Sequence, residues 1–165
     1  MNKDIVDKLL SQWADERPNL DTLALGIVVR IQVLAKLLQQ RTDAALRAHD
    51  LKHWEYDVLS VLRRQGKPYE LPATDIADAA LLTSGAMTTR IDGLESRGLV
   101  RRRSSGSDRR SVLVSLTSKG KSLVDESIQT RLDDANEVLD ELTPSNRRLL
   151  TDLLREVVSG LDVPK

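Results

Sequence analysis

The sequence predicts a mainly α fold with a minor antiparallel β part (α+β minor). Two observations carry this. Apolar residues recur at three- and four-residue spacing along most of the 165 residues, which is the period of an amphipathic helix. That period gives way to alternation once, in two short runs near residues 99–116 on either side of a Ser-Ser-Gly-Ser-Asp turn. A hydrophobic content of 40% supports a real core, and the length suits one domain with helical extensions.

Ile5, Leu9 and Trp13 mark a short first helix, closed before Pro18. Asp21 is placed to cap a second. Ile27, Ile31, Leu34 and Leu38 extend that second helix to about Leu46, long enough to be a scaffold element. Trp54, Val58 and Leu62 mark a third, stopped near Gly66-Lys67-Pro68. Two short helices follow. The first is expected at about 73–80 with Thr74 as cap. The second runs from Thr83 or Ser84 to about Arg97, ending at Gly98. Leu81-Leu82-Thr83 forms the tight turn between them, making a helix-turn-helix unit. Strands are expected at 99–103 and 111–116, the latter followed by Thr117 as a helix cap. The next helix carries an apolar seam at Val124, Ile128, Leu132, Ala135, Leu139 and Leu142. Thr143-Pro144 starts a last helix with Leu150, Leu153, Leu154 and Val157 on its apolar side.

Composition excludes several chemistries. There is no cysteine, hence no disulfide, thiolate nucleophile or cysteine-based zinc site. The two histidines, His49 and His53, straddle a bend and have no evident third ligand. No metal, no cofactor and no catalytic residue is expected. The first residues lack the apolar stretch of a signal peptide, and no uninterrupted apolar run approaches a membrane span. A cytoplasmic protein with no membrane partner is the expectation.

The formal net charge is zero, which taken whole speaks against a nucleic-acid partner. Its distribution speaks otherwise. Residues 84–121 hold nine basic and three acidic side chains, whereas residues 122–165 hold five and ten. The basic stretch coincides with the second helix of the helix-turn-helix and the hairpin behind it, where phosphate contact requires positive charge.

The helical wheel divides that second helix. Met87, Ile91 and Leu94 share one face. Gly85, Thr88, Thr89, Asp92 and Ser96 lie opposite, small and polar as a helix entering a major groove must be. Ser84, Gly85, Thr88 and Thr89 are therefore candidate DNA contacts, with Arg97 near phosphate at the far end. In the hairpin, Arg103, Arg109 and Arg110 are candidates for the backbone and the minor groove. Asp108 is placed to orient Arg110.

These motifs resemble the MarR family of winged helix-turn-helix regulators. The resemblance runs from about Trp54 to Gly120. It rests on Trp54-Glu55-Tyr56-Asp57, Thr88-Thr89-Arg90-Ile91-Asp92-Gly93-Leu94-Glu95, Arg97-Gly98-Leu99-Val100-Arg101, Asp108-Arg109-Arg110-Ser111 and Leu116-Thr117-Ser118-Lys119-Gly120. It implies a winged helix-turn-helix DNA-binding lobe and a helical dimerisation domain built from both termini. The extra first helix, with Gln12-Trp13, Glu16-Arg17-Pro18 and Leu20-Asp21, is similar to the urate-responsive branch of that family. That likeness implies an effector site of Trp13, Asp57 and Arg90, with Gln65 where the branch has an asparagine. Arg90 sits at the border of the buried face, so its guanidinium calls for a carboxylate or an anion. Asp57 could be that partner in a purely structural ion pair, with Trp13 packing the first helix.

The expected organisation is residues 1–48 for effector site and dimerisation, 49–117 for the DNA-binding lobe, and 118–165 for dimerisation. Ile27, Leu34, Leu139, Leu142, Leu150, Leu153, Leu154 and Val157 are the expected dimer contacts, since these seams exceed what one small lobe can bury. The expected partners are double-stranded DNA, a second copy of the chain, and a small anionic aromatic or purine-like effector such as urate. The alternatives are a regulator of aromatic catabolism or efflux that responds to a phenolic acid, and a protein-interaction winged helix that does not bind DNA.

Overall fold

Asp4 opens the first helix, α1 (Ile5–Glu16), in a computed structural model that describes residues 3–80, 87–104 and 112–161. Its carboxylate accepts the Val6 and Asp7 amides, and Asp7 accepts the Asp4 amide in return at 2.8 Å. The reciprocal bonds satisfy donors that a helix start leaves open. α2 (Leu23–Arg47) begins beside Asp21, which accepts the Leu23 amide at 3.0 Å as expected. Arg30 of α2 pairs with Asp4 at 2.8 Å and Asp7 at 2.6 Å. Its guanidinium holds the Asp4 carboxyl below the usual carboxylate range.

α2 corrects one expectation. With 25 residues and a mean hydropathy of 1.4 over its most apolar stretch, it is long and apolar enough to cross a membrane by length and composition alone. Arg30 and Lys36 interrupt the run, so counting unbroken apolar residues misses a surplus that survives averaging over the helix.

The chain divides into two units, Met1–Thr42 and Asp43–Lys165. In the second, the elements are α3 (His53–Arg64), β1 (Glu70–Pro72), α4 (Ala73–Ala79), α5 (Met87–Ser96), β2 (Val100–Ser104), β3 (Val112–Leu116), α6 (Ser118–Val138) and α7 (Pro144–Ser159). The sheet is antiparallel with β3 in the middle, in the order β1-β3-β2. Val100 faces Leu116 and Arg103 faces Leu113 across β2 and β3. β1 was not expected: three residues are too few to show alternation, and Pro72 is tolerated only because β1 is an edge strand. The cap of α4 is also corrected. Pro72 holds that position, while the Thr74 hydroxyl donates to Asp75. The expected turn at 81–83 lies outside the described residues, as does the expected hairpin turn at 104–108 beyond Ser104, which ends β2.

The core gathers around α3, where Val58, Leu59 and Leu62 are fully buried among Ile76, Ile91, Leu94, Leu99 and Val114. Two glycines set its edges. Gly98, just past α5, has φ +68°, a backbone region that suits glycine. A Cβ on Gly120 would stand 2.0 Å from the Leu99 carbonyl oxygen, so only glycine lets α6 approach this closely. Thr117 caps α6 as expected, accepting the Gly120 amide at 3.0 Å and donating to the Gly98 carbonyl at 2.7 Å.

The C-terminal seam differs from expectation in one respect. α6 ends at Val138, so Leu139 and Leu142 belong to the connection and do not continue a helical face. The Leu139 amide bonds back to Asn136, closing the helix early. Thr143 and Pro144 then start α7 as expected. No residue of α7 is buried, and Leu153 and Val157 remain about half exposed, at 50% and 47%.

Candidate nucleic-acid interface and effector site

α5 is two-faced. Met87, Ile91 and Leu94 are buried in the lobe, while Thr88, Thr89, Asp92 and Ser96 are exposed. Three apolar residues at four- and three-residue spacing bury one stripe and leave the opposite face to solvent. Ser84 and Gly85, expected on the same polar face, lie outside the described residues, as do Asp108, Arg109 and Arg110.

The basic strand behind α5 is not a uniform patch. Alternation along β2 sends Arg101 and Arg103 to one face of the sheet and Arg102 to the other. Arg101 donates to the Ser115 hydroxyl at 3.1 Å. Arg103 pairs with Glu70 of β1, which holds the Glu70 carboxyl below its ordinary range. Arg102 turns to α5 and pairs with both of its acids, Asp92 and Glu95. Sequence reasoning singled out Arg103 from this strand and not Arg102. Period-two alternation was the signal that could have separated it.

Arg97 has partners inside the lobe. One guanidinium nitrogen donates to both carboxylate oxygens of Glu55 at 2.8 Å, and the other to the Asp50 carbonyl and carboxylate. Glu55 is buried and also accepts the Lys52 amide at 2.8 Å, capping α3. Arg97 thus ties the end of α5 to the start of α3. Glu55 is a second residue that sequence reasoning missed, because its partner lies 42 positions away.

The candidate effector residues are divided between the two units, Trp13 in the first and Asp57, Gln65 and Arg90 in the second. Trp13 lies on α1 in the first unit, 45% exposed. In the second unit, Asp57 lies 3.8 Å from the His53 ring, whose other nitrogen is 3.6 Å from Asp43. Burial pushes the Asp57 carboxyl up, opposed by the nearby charges of His53, Arg131, Arg64 and Arg90. No direct Asp57–Arg90 ion pair occurs among the described residues. Arg90 instead stacks over the Trp54 ring, 5.5 Å from its centroid. Its Nη1 is buried without a hydrogen-bond partner. Arg90, Trp54, Lys52, Thr89, Gly93 and Arg97 line an open groove of about 610 Å³. Asp57 lines a smaller recess with Ser60, Arg64 and Ala80. Gln65 is exposed, and its amide folds back onto the Val61 carbonyl. The histidines do not act together: His49 bonds to Thr130 at 2.8 Å, while His53 faces the two aspartates.

Known proteins show the same arrangement. The profile of the MarR family matches residues 49–111. The HTH-type transcriptional regulator PecS of Dickeya dadantii is 29% identical over 156 residues, covering 94% of each chain. The HTH-type transcriptional regulator MhqR of Bacillus subtilis is 30% identical over 134 residues, covering 81% of this chain and 90% of that one. Among solved structures, Sco3205 of Streptomyces coelicolor, a MarR family transcriptional regulator in complex with DNA, superposes with a TM-score of 0.76 at 27% identity. That match covers 90% of this chain and 94% of the other. These relatives are regulators and not enzymes. A two-faced recognition helix, a three-stranded sheet carrying the wing strands and long terminal helices agree with them: the chain belongs to the MarR family of winged helix-turn-helix transcriptional regulators.

Proposed function

We propose that the chain acts as a homodimeric repressor in the cytoplasm, binding a pseudo-palindromic operator in double-stranded DNA and released by a small anionic aromatic or purine-like effector. The observation that carries the DNA reading is α5, with three apolar residues buried and Thr88, Thr89 and Ser96 exposed opposite them. Such a helix enters a major groove with its small polar face, and a two-fold dimer sets half-sites about one helical turn apart. That Sco3205 is in complex with DNA supports DNA as the partner. Arg109 and Arg110 would reach the flanking minor groove, with Asp108 orienting Arg110. Ser84 and Gly85 would extend the reading face.

The second copy is supported by the apolar side chains that this chain leaves exposed: Ile27, Leu34, Leu153, Leu154 and Val157. Leu139, Leu142 and Leu150 complete the set. The effector reading takes Trp13, Asp57, Gln65 and Arg90 as its residues. Its support is the buried Nη1 of Arg90, a cationic donor without a hydrogen-bond partner, for which an anion is a natural complement. An effector that favours one spacing of the recognition helices would shift the equilibrium away from DNA.

Band shift on DNA from upstream of its own gene tests both halves. Arg110→Ala is expected to weaken the complex by about 1–3 kcal/mol and reduce its salt dependence. An unchanged shift rejects the wing assignment. Trp13→Ala is expected to keep DNA binding and lose release by the effector. If urate, other purines and phenolic acids all leave the wild-type complex intact, the effector reading is wrong.

A further inference from the structure

We infer that Arg102 is the positioning residue of the recognition helix: from β2 it sets the orientation of α5, without itself contacting DNA. The inference rests on the operator-binding reading above. The buried stripe of α5 holds the helix against the lobe, but hydrophobic contact is non-directional and leaves rotation about the stripe weakly opposed. Directional bonds must supply the rest. Arg102 makes four of them to one helix. Nη1 donates to Asp92 and to Glu95, the latter at 3.1 Å. Nη2 donates to the Thr88 carbonyl at 3.0 Å. The Arg102 backbone amide donates to Glu95 at 2.9 Å. The acceptors run from position 88 to 95, about two turns of helix. A planar guanidinium with forked donors can hold such a set, which the single ammonium of a lysine cannot.

Charge points the same way. Asp92 and Glu95 are the acids of α5, and their side chains are 57% and 39% exposed. Arg102 is the cation that pairs with both, so the cluster carries one net negative charge in place of two. Arg102 is only 27% exposed, and its donors turn inward to α5. The far end of α5 is tied separately, by Arg97 to Glu55 and Asp50. One arginine anchors the end of the helix and the other sets its roll. Base contacts need placement to a fraction of an ångström, so loss of Arg102 should remove sequence discrimination and leave phosphate attraction intact.

The test uses the full-length protein. Duplexes are selected from a random-sequence pool by the wild type. Affinities for a selected duplex and its scrambled counterpart are then measured by fluorescence anisotropy over a series of salt concentrations. Arg102→Ala is expected to lose roughly tenfold or more on the selected duplex, change less than about twofold on the scrambled one, and keep the wild-type salt slope. Arg102→Lys is expected to lose the same discrimination, because it restores the charge and not the fork. A salt slope reduced by about 0.9 for each arginine removed would mean direct phosphate contact and overturn the proposal. So would equal losses on both duplexes, or no loss at all. If Arg102→Ala proves unfolded by circular dichroism, the double variant Asp92→Asn/Glu95→Gln replaces it. Its ratio of selected to scrambled affinity should fall, and an unchanged ratio overturns the proposal. A wild type that enriches no sequence overturns the operator reading itself, and that result appears before any variant is made.

Discussion

The winged lobe and the terminal helices use the same apolar residues at the same spacings and reach opposite outcomes. In the lobe, Ile91, Leu94, Leu59 and Leu62 are at most 1% exposed. On α7, Leu149, Leu153 and Val158 are 57%, 50% and 55% exposed, and no residue is buried. Periodicity therefore states that a helix has an apolar face, and not where the matching face lies. For the lobe it lies in the same chain. For α7 nothing among the described residues covers it, and exposure on this scale marks an interaction surface.

The comparison can be broken or sharpened experimentally. The largest effect is expected from Ile91→Ala, which opens a cavity in the lobe and should cost about 3 kcal/mol in urea unfolding. The loss should not depend on protein concentration; a loss below about 1 kcal/mol would deny Ile91 its place in the core. Glu55→Gln should cost about 2 kcal/mol, since it removes the buried charge partner of Arg97 and leaves only the exposed Asp50 carboxylate. A stability equal to wild type would show that the Arg97–Glu55 tie contributes nothing. Leu153→Ala should cost only about 1 kcal/mol per chain, with a Tm shift that changes with protein concentration, as for an interface between copies. Sedimentation as a monomer at micromolar concentration would contradict the second region's role.

The smallest effect concerns pH. Asp125, held low by Lys121 and Arg63, and Glu70, held low by Arg103, contribute stability above the ordinary carboxylate range. That stability is lost as pH falls through their lowered folded values. Asp57 has the opposite sign. Burial raises its carboxyl, so its contribution is present in acid and lost as pH rises through the raised value. Asp57→Asn should accordingly raise Tm at pH 7 and leave it nearly unchanged at pH 3. Equal gains at both pH values would remove burial as the cause.

Much of the fold was legible because its signals are local. Asp21, Thr117 and Thr143 cap the helices that they precede. The wheel of α5 separated Met87, Ile91 and Leu94 from Thr88 and Thr89, because helical geometry places residues three and four apart on one face. Failures came where a partner distant in sequence decides. β1 exists through its pairing with β3, Glu70 facing Ser115, and its three residues show no pattern of their own. The seam read through Leu139 and Leu142 ignored the early closure of α6 at Val138. Of the candidate effector set, the structure brings Asp57 and Arg90 within electrostatic reach but gives them different close partners, His53 and Trp54.

By itself the sequence determined which segments are helical, where most of them start, which face of α5 is apolar, and that the basic charge gathers on residues 84–121. These follow from backbone geometry and from charges that can be counted. Only the tertiary structure decided the occupation of each arginine. Arg101, Arg102 and Arg103 are identical and consecutive, yet they bond to Ser115, to the acids of α5 and to Glu70. A guanidinium takes whichever oxygens the fold brings within about 3 Å, and that distance is set by packing between elements far apart in the chain.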